Sequence, residues 1–245
     1  MSTQELIRFK TRPLQCSYLP AERSVVETRL IVGMEPDDYQ NLLSRGWRRF
    51  GHSFFRHACP KCTRCQSLRV PVETFQPNRS QRRALQANAG IEVVIQPPSV
   101  TAEHLRLFEA FHEDMADRRG WSDKNVGAGT YHSSFVAGAN EFGRELLYYD
   151  EGRLIGVALA DILPDALSCV YFYHDPLLRK RALGVFSVLR QIQLARELGL
   201  SRVYLGYWVA ECQSLAYKSQ YRPHKLLDWN TRDAEQPVWL PHGLK

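Results

Sequence analysis

The sequence predicts an α+β chain in two parts: a small, basic, cysteine-bearing α+β segment over residues 1–98, then a mixed, largely antiparallel sheet flanked by helices over residues 99–245. Three observations carry this expectation. The first hundred residues hold fifteen Lys and Arg against eight Asp and Glu, whereas the remainder hold seventeen against eighteen. Three cysteines at three-residue spacing, Cys59, Cys62 and Cys65, all fall in the first part. Beyond the seam at Pro97-Pro98, runs of strand period alternate with runs of helical period.

Taken in order, residues 26–32 are rich in β-branched side chains and read as a strand. Residues 36–45 open with Pro36, Asp37 and Asp38 and stop at Gly46, as a short helix does. Residues 51–57 read as a strand leading to the cysteine turn, and 69–75 as an edge strand, because Pro71 cannot donate to a ladder. Residues 80–88 form a helix with Arg82 and Arg83 exposed. Past the seam, Thr101 caps a helix whose Leu105, Phe108, Phe111 and Met115 recur at three- and four-residue steps. Residues 120–129, bounded by glycines, form a loop. Strands at 145–150, 153–163 and 167–174 follow, joined by Glu151-Gly152 and by 164–166 in a tight meander. Val185, Val188, Leu189, Ile192 and Ala195 then share one helical face that ends at Gly199, before a strand at 203–208. A short helix over 211–220 and a strand through Leu226-Leu227 complete the chain.

A chain of 245 residues can bury one large core or two modest ones. The first eight residues have no apolar signal core, and the most apolar run, 154–160, ends at Asp161, far short of a membrane span. A cytoplasmic, thiol-reduced protein with no membrane partner is expected. Disulfide stapling is not needed at this length. The spacing of Cys59, Cys62 and Cys65 instead suits a metal or iron–sulfur site, since a Cys-x-x-Cys turn points two thiolates at one ion and Lys61 and Arg64 favour ionised sulfur. Cys16 is the candidate fourth ligand, with His57 and His52 in reserve. The plainer alternative is a set of reduced thiols behaving as small hydrophobes. The excess positive charge of the first part suits a polyanion, with Arg45, Arg48, Arg49, Arg56, Lys61, Arg64, Arg79, Arg82 and Arg83 as contacts, or else an ordinary solvated basic face.

The order helix, antiparallel strands, basic glycine turn, helix, strand, helix, strand resembles that of GNAT acyltransferases. In that fold a basic glycine turn wraps a pyrophosphate at a helix N-terminus. Here the turn runs from Arg181 to Gly184 and on to Phe186, where a small residue is usual, so the donor is expected to be other than acetyl-coenzyme A.

Several motifs in one order resemble the bacterial aspartate/glutamate leucyltransferases, relatives of the arginyl-tRNA–protein transferases. They are Cys16-Ser17-Tyr18-Leu19-Pro20, the cysteine triplet followed by Arg69-Val70-Pro71-Val72, Gln81-Arg82-Arg83, the stretch 152–158, Asp175-Pro176, Arg181 with Gly184, Leu205-Gly206-Tyr207-Trp208, and Tyr217-Lys218 with Tyr221-Arg222-Pro223. The resemblance implies a GNAT-like C-terminal domain and transfer of an amino acid from charged tRNA to proteins beginning with Asp or Glu, marking them for proteolysis. Eukaryotic arginyltransferases carry Cys-x-x-Cys where this chain has residues 16–19, so zinc and iron–sulfur both stay open.

The transfer needs a neutral α-amine placed on an ester carbonyl and a stabilised oxyanion, and requires no cofactor. Asp175 or Glu211 is the expected base, and Tyr171, Tyr173 and Tyr207 are candidate donors to the oxyanion or leaving oxygen, unless they simply pack. Lys218 and Arg222, with Arg179 nearby, would pair with the acidic acceptor. Arg181, Gly184 and Trp208 complete the substrate site, and Arg79, Arg82 and Arg83 would meet tRNA. A leucyl donor needs an apolar slot and an arginyl donor a carboxylate; Trp208, Leu215 and Glu211 leave leucyl-tRNA and arginyl-tRNA both open. A coenzyme A-dependent N-acetyltransferase, or a metal-dependent RNA-binding adaptor without catalysis, are the alternatives.

Overall fold

The computed structural model describes residues 2–121 and 127–242. An antiparallel sheet of four strands in the order β1-β4-β6-β5 is built from β1 (Gln4–Lys10), β4 (Val26–Val32), β5 (Arg48–Phe50) and β6 (Ser53–His57). The two-residue strands β2 (Leu14–Gln15) and β3 (Arg23–Ser24) pair beside it, and α1 (Pro36–Ser44) links β4 to β5.

The larger sheet has eight strands in the order β14-β13-β7-β12-β11-β10-β9-β8. They are β7 (Gln66–Pro71), β8 (Glu92–Gln96), β9 (Gly143–Asp150), β10 (Arg153–Leu163), β11 (Ala166–His174), β12 (Arg202–Trp208), β13 (His224–Leu227) and β14 (Trp239–His242). One face packs on α2 (Arg79–Ala87) and α5 (Leu183–Glu197), burying Leu146, Tyr148, Ala158, Leu189 and Ile192. The other lies under α3 (Ala102–Arg119) and α4 (Ala128–Tyr131), where Phe108 and Tyr131 meet Leu147, Val157 and Leu159. β9 and β10 are buried almost throughout, with successive residues facing the two helical layers in turn, as a sheet covered on both sides requires. This is the α+β arrangement that the sequence predicts, a mixed, largely antiparallel sheet flanked by helices.

Local chemistry explains the boundaries. Asn78 and Thr101 cap α2 and α3 in reciprocal boxes with Gln81 and His104. The β9–β10 turn places Glu151 and Gly152 at φ 49° and 77°, which gives the tight hairpin. The expected helix over 211–220 is α6 (Gln213–Ala216) continued by a 3₁₀ turn (Tyr217–Gln220). Of the loop expected over 120–129, residues 122–126 lie outside the described residues, and the chain is already helical from Ala128.

Two expectations need correction. β7 is not an edge strand: it lies between β13 and β12, and Pro71 is tolerated because it is the last residue of the strand. Nor does Pro97-Pro98 divide the molecule into two sheets, because β7 and β8 both belong to the larger one. The small sheet is locked onto it by a core of Ile31, Tyr39, Leu43 and Phe54 against Phe142, Leu163 and Tyr204. A buried ion pair adds to that contact, Arg49 Nε donating to Asp161 Oδ2 at 3.0 Å.

Candidate active site

β11 and β12 are parallel and pair only at their first three positions, ending at Ser168 opposite Tyr204. β11 then continues along β10 to His174 and β12 along β7 to Trp208. Each bulges where they part, β11 at Val170 and β12 at Leu205. A bulge bends and twists its strand, so two on neighbouring strands open a wedge between them.

Two cations enter this wedge from different elements. Arg48 of β5 is buried, and its Nη2 donates to the Cys169 carbonyl on β11. Lys218, in the turn after α6, is half-buried, and its Nζ donates to the Tyr207 carbonyl on β12 at 2.8 Å. Gly206 lies between them at φ 83°, and a Cβ there would stand 3.4 Å from Lys218 Nζ and 3.5 Å from Arg48 Nη2. The missing side chain thus leaves a methyl-sized gap bordered by both cations. Arg48 Nη1 has no hydrogen-bond partner among the described residues. Among the described residues no carboxylate pairs with either cation, and the charges that bear on Lys218 are those of Arg48, Cys169 and Cys212. Burial, and after it the Arg48 charge, draws Lys218 down to about 7. The Cys169 thiol is pushed up to about 12 by burial.

Most other expected site residues have structural partners. Asp175 is buried, accepts from Leu177 N at 2.9 Å and pairs with Arg153 at 2.5 Å, so it caps the turn after β11 rather than standing open as a base. Glu211 is exposed, 3.6 Å from Arg64. The Tyr207 hydroxyl donates to the Gly46 carbonyl at 2.7 Å, away from the wedge, and burial raises its pKa strongly. Tyr173 is bonded to Tyr131, and Tyr171 to His112 Nε2 at 2.8 Å. Arg179 pairs with Asp114 at 3.2 Å, and Trp208 Nε1 donates to the Ala216 carbonyl. Arg222 is exposed, its Nε donating to the Ser219 carbonyl.

The glycine turn is closed in a similar way. Arg181 binds Asp150 at 2.6 Å and Asn88 Oδ1 at 3.0 Å, while Phe186 is buried in the core beside Gly184. Its guanidinium is therefore already committed to protein groups.

The basic contacts separate into two classes. Arg79, Arg82 and Arg83 stand exposed on α2, as do Lys61 and Arg64 in the cysteine turn. Arg48, Arg49 and Arg56 are interior and are not a solvated basic face; Arg56 pairs with Glu27 and Asp233. Sequence reading treated Arg48 only as a polyanion contact and missed its place in the wedge. The signal was its setting between Trp47 and Phe50, where an arginine is flanked by core-forming aromatics.

The match to known families fits this architecture. A model of the arginine-tRNA-protein transferase N terminus matches residues 14–83, and one of its C terminus matches 103–228. The chain belongs to the arginine-tRNA-protein transferase family. Similar members include an aspartate/glutamate leucyltransferase of Helicobacter hepaticus, 36% identical over 96% of this chain and 97% of that protein. Another from Campylobacter jejuni is 38% identical over 90% and 92%. The chain is also similar to a solved structure of FemX, with 11% identity, a TM-score of 0.49 and coverage of 82% of this chain and 69% of that one.

In this family member the cysteines form an apolar cluster, with Cys16, Cys65 and Cys212 buried beside Leu19, Tyr207 and Val209. Cys59 is tied to the Val25 backbone, accepting from its N–H at 3.4 Å. Among the described residues no three His, Cys, Asp or Glu side chains are grouped to hold an ion. Burial, reinforced by Cys16, Cys59 and Cys62, pushes the Cys65 thiol far up. His57 is buried with both ring nitrogens unpartnered, and burial lowers it to about 4.

Proposed function

We propose that this aminoacyltransferase moves leucine, in preference to arginine, from charged tRNA to the α-amine of proteins that begin with Asp or Glu, in the cytoplasm, and thereby marks them for proteolysis. The observation that carries the reading is the likeness to aspartate/glutamate leucyltransferases over 96% of this chain and 97% of its relative. The wedge between β11 and β12 is the site of reaction. There the facing backbones of the parted strands, one of them bulged at Val170, offer donors to the tetrahedral oxyanion.

The α-amine attacks the ester carbonyl, the new amide bond forms, and the ribose hydroxyl leaves with a proton. An α-amine with a pKa of about 8 is partly neutral near pH 7, so placement carries most of the rate and water can take the proton. That suits a site whose expected carboxylate bases are engaged elsewhere, Asp175 by Arg153 and Glu211 by Arg64. Among the described residues no helix is long and apolar enough to cross a membrane. The exposed arginines of α2 supply the phosphate contacts for tRNA.

The test is transfer of labelled leucine or arginine from its tRNA to peptides beginning with Asp, Glu or Ala. Leucine should appear on the Asp and Glu peptides and not on the Ala peptide. Absence of transfer from either tRNA to any acceptor would overturn the reading.

A further inference from the structure

We propose that Arg48 and Lys218 together form a carboxylate subsite that takes the acidic first side chain of the acceptor protein. This rests on the transferase reading above and adds a residue, Arg48, from the opposite end of the chain and from the small sheet.

The first reason is the missing countercharge. Arg49, Arg56, Arg153, Arg179 and Arg181 each meet an Asp or Glu of the protein. Arg48 is as deeply buried as Arg49 and Arg56, yet among the described residues Nη1 is without a partner and its one hydrogen bond in the wedge goes to a backbone carbonyl. An uncompensated buried charge is costly, and here two cations are held side by side. Such a pair is tolerated where an anion arrives with the substrate.

The second reason is shape. The gap over Gly206 is bordered by both cationic tips and lies where the strands part, next to the backbone edges assigned to the reaction. A single carboxylate oxygen fills a gap of that size and can accept from the guanidinium and the ammonium at once. A side-chain carboxyl, unlike a phosphodiester that continues into ribose on both sides, brings only one chain into the wedge. Arg48 is fixed by the Cys169 carbonyl, whereas Lys218 sits on a flexible four-carbon stem and can follow the one-methylene difference between Asp and Glu.

The test compares Arg48→Gln and Lys218→Met with the wild type in leucyl transfer to peptides differing only in a first Asp or Asn. Each variant should lose about a hundredfold in kcat/KM on the Asp peptide, the Asp-over-Asn preference should collapse, and the KM for leucyl-tRNA should not move. Should Arg48→Gln fail to fold, Arg48→Lys keeps a cation and should recover part of the preference. Folded variants that discriminate Asp from Asn as the wild type does would overturn the subsite. So would a raised KM for leucyl-tRNA with the preference intact, which would mean that the pair holds phosphate. A calorimetric comparison of Asp-Ala and Asn-Ala dipeptides on the wild type and on Arg48→Gln reads the subsite without catalysis. Stronger binding of Asp-Ala that Arg48→Gln abolishes supports it even if no transfer is found, and equal binding of the two dipeptides by the wild type overturns it.

Discussion

Arg48 and Arg49 are neighbours on one short strand and meet opposite fates. Arg49 closes the contact between the two sheets against Asp161, an ion pair with neither partner exposed to solvent. Arg48 reaches the other way, into the wedge, and among the described residues finds only a carbonyl. Adjacent residues of a strand point to opposite faces, so a three-residue segment serves architecture on one side and the substrate site on the other. The difference teaches how to tell them apart: a buried arginine with a carboxylate belongs to the scaffold, and one without it is held for something that binds.

The comparison is broken most severely from the scaffold side. Asp161→Ala leaves Arg49 as an unpaired buried charge and should cost about 3–5 kcal/mol, read as a fall in the urea midpoint at unchanged m-value. A cost below about 1 kcal/mol would mean that Arg49 resembles Arg48 after all.

The wedge should respond in the opposite sense. Lys218 has a pKa of about 7 in the folded protein against about 10.4 in an unfolded chain, so the unfolded state binds more protons throughout that window. Wild-type stability should therefore gain from this group as pH rises from 7 to 10.4. Lys218→Met removes the term, and the variant should be more stable by about 1–3 kcal/mol at pH 7 and below, with the gap closing towards pH 10. Arg48, Cys169 and Cys212 are the groups whose charges bear on this amine. Unfolding curves at pH 6.5 and 9.5 for both proteins decide it; a difference that does not vary with pH would place the amine in water.

The smallest effect belongs to the exposed cations. Replacing Arg82 and Arg83 by Ala should leave stability within about 0.5 kcal/mol and flatten the plot of log affinity for charged tRNA against log salt by about one to two units of slope. An unchanged slope would move the tRNA contact off α2.

Much of the scaffold could be read in advance because its signals are local. The bounds of β10 follow from the Glu151-Gly152 turn, the start of α3 from Thr101, and the end of α5 from Gly199. β5 escaped notice, since Arg48, Arg49 and Phe50 have no alternation to betray a strand. The reading of Pro71 was right in its chemistry and wrong in its conclusion, because a strand's last residue needs no donor even at the centre of a sheet. The site was harder still. Lys218 could be suspected from its aromatic setting, but Arg48 acquires meaning only from Cys169, 121 residues away. Asp175, Tyr207 and Arg181 carry suitable chemistry, yet each is taken by a partner that spacing along the chain does not reveal.

The central position of β7 also sets a timetable for synthesis. Its two neighbours, β12 and β13, are made about 130 and 150 residues later. At cellular elongation rates of about 5–20 residues per second, Leu68 and Val70 wait roughly 7–30 s on the ribosome with both hydrogen-bonding edges bare. The sheet that carries the wedge can close only when the chain is almost complete. A ribosome that stalls before β12 is made therefore holds an unpaired apolar strand exposed to aggregation or to a chaperone, and releases no half-active enzyme.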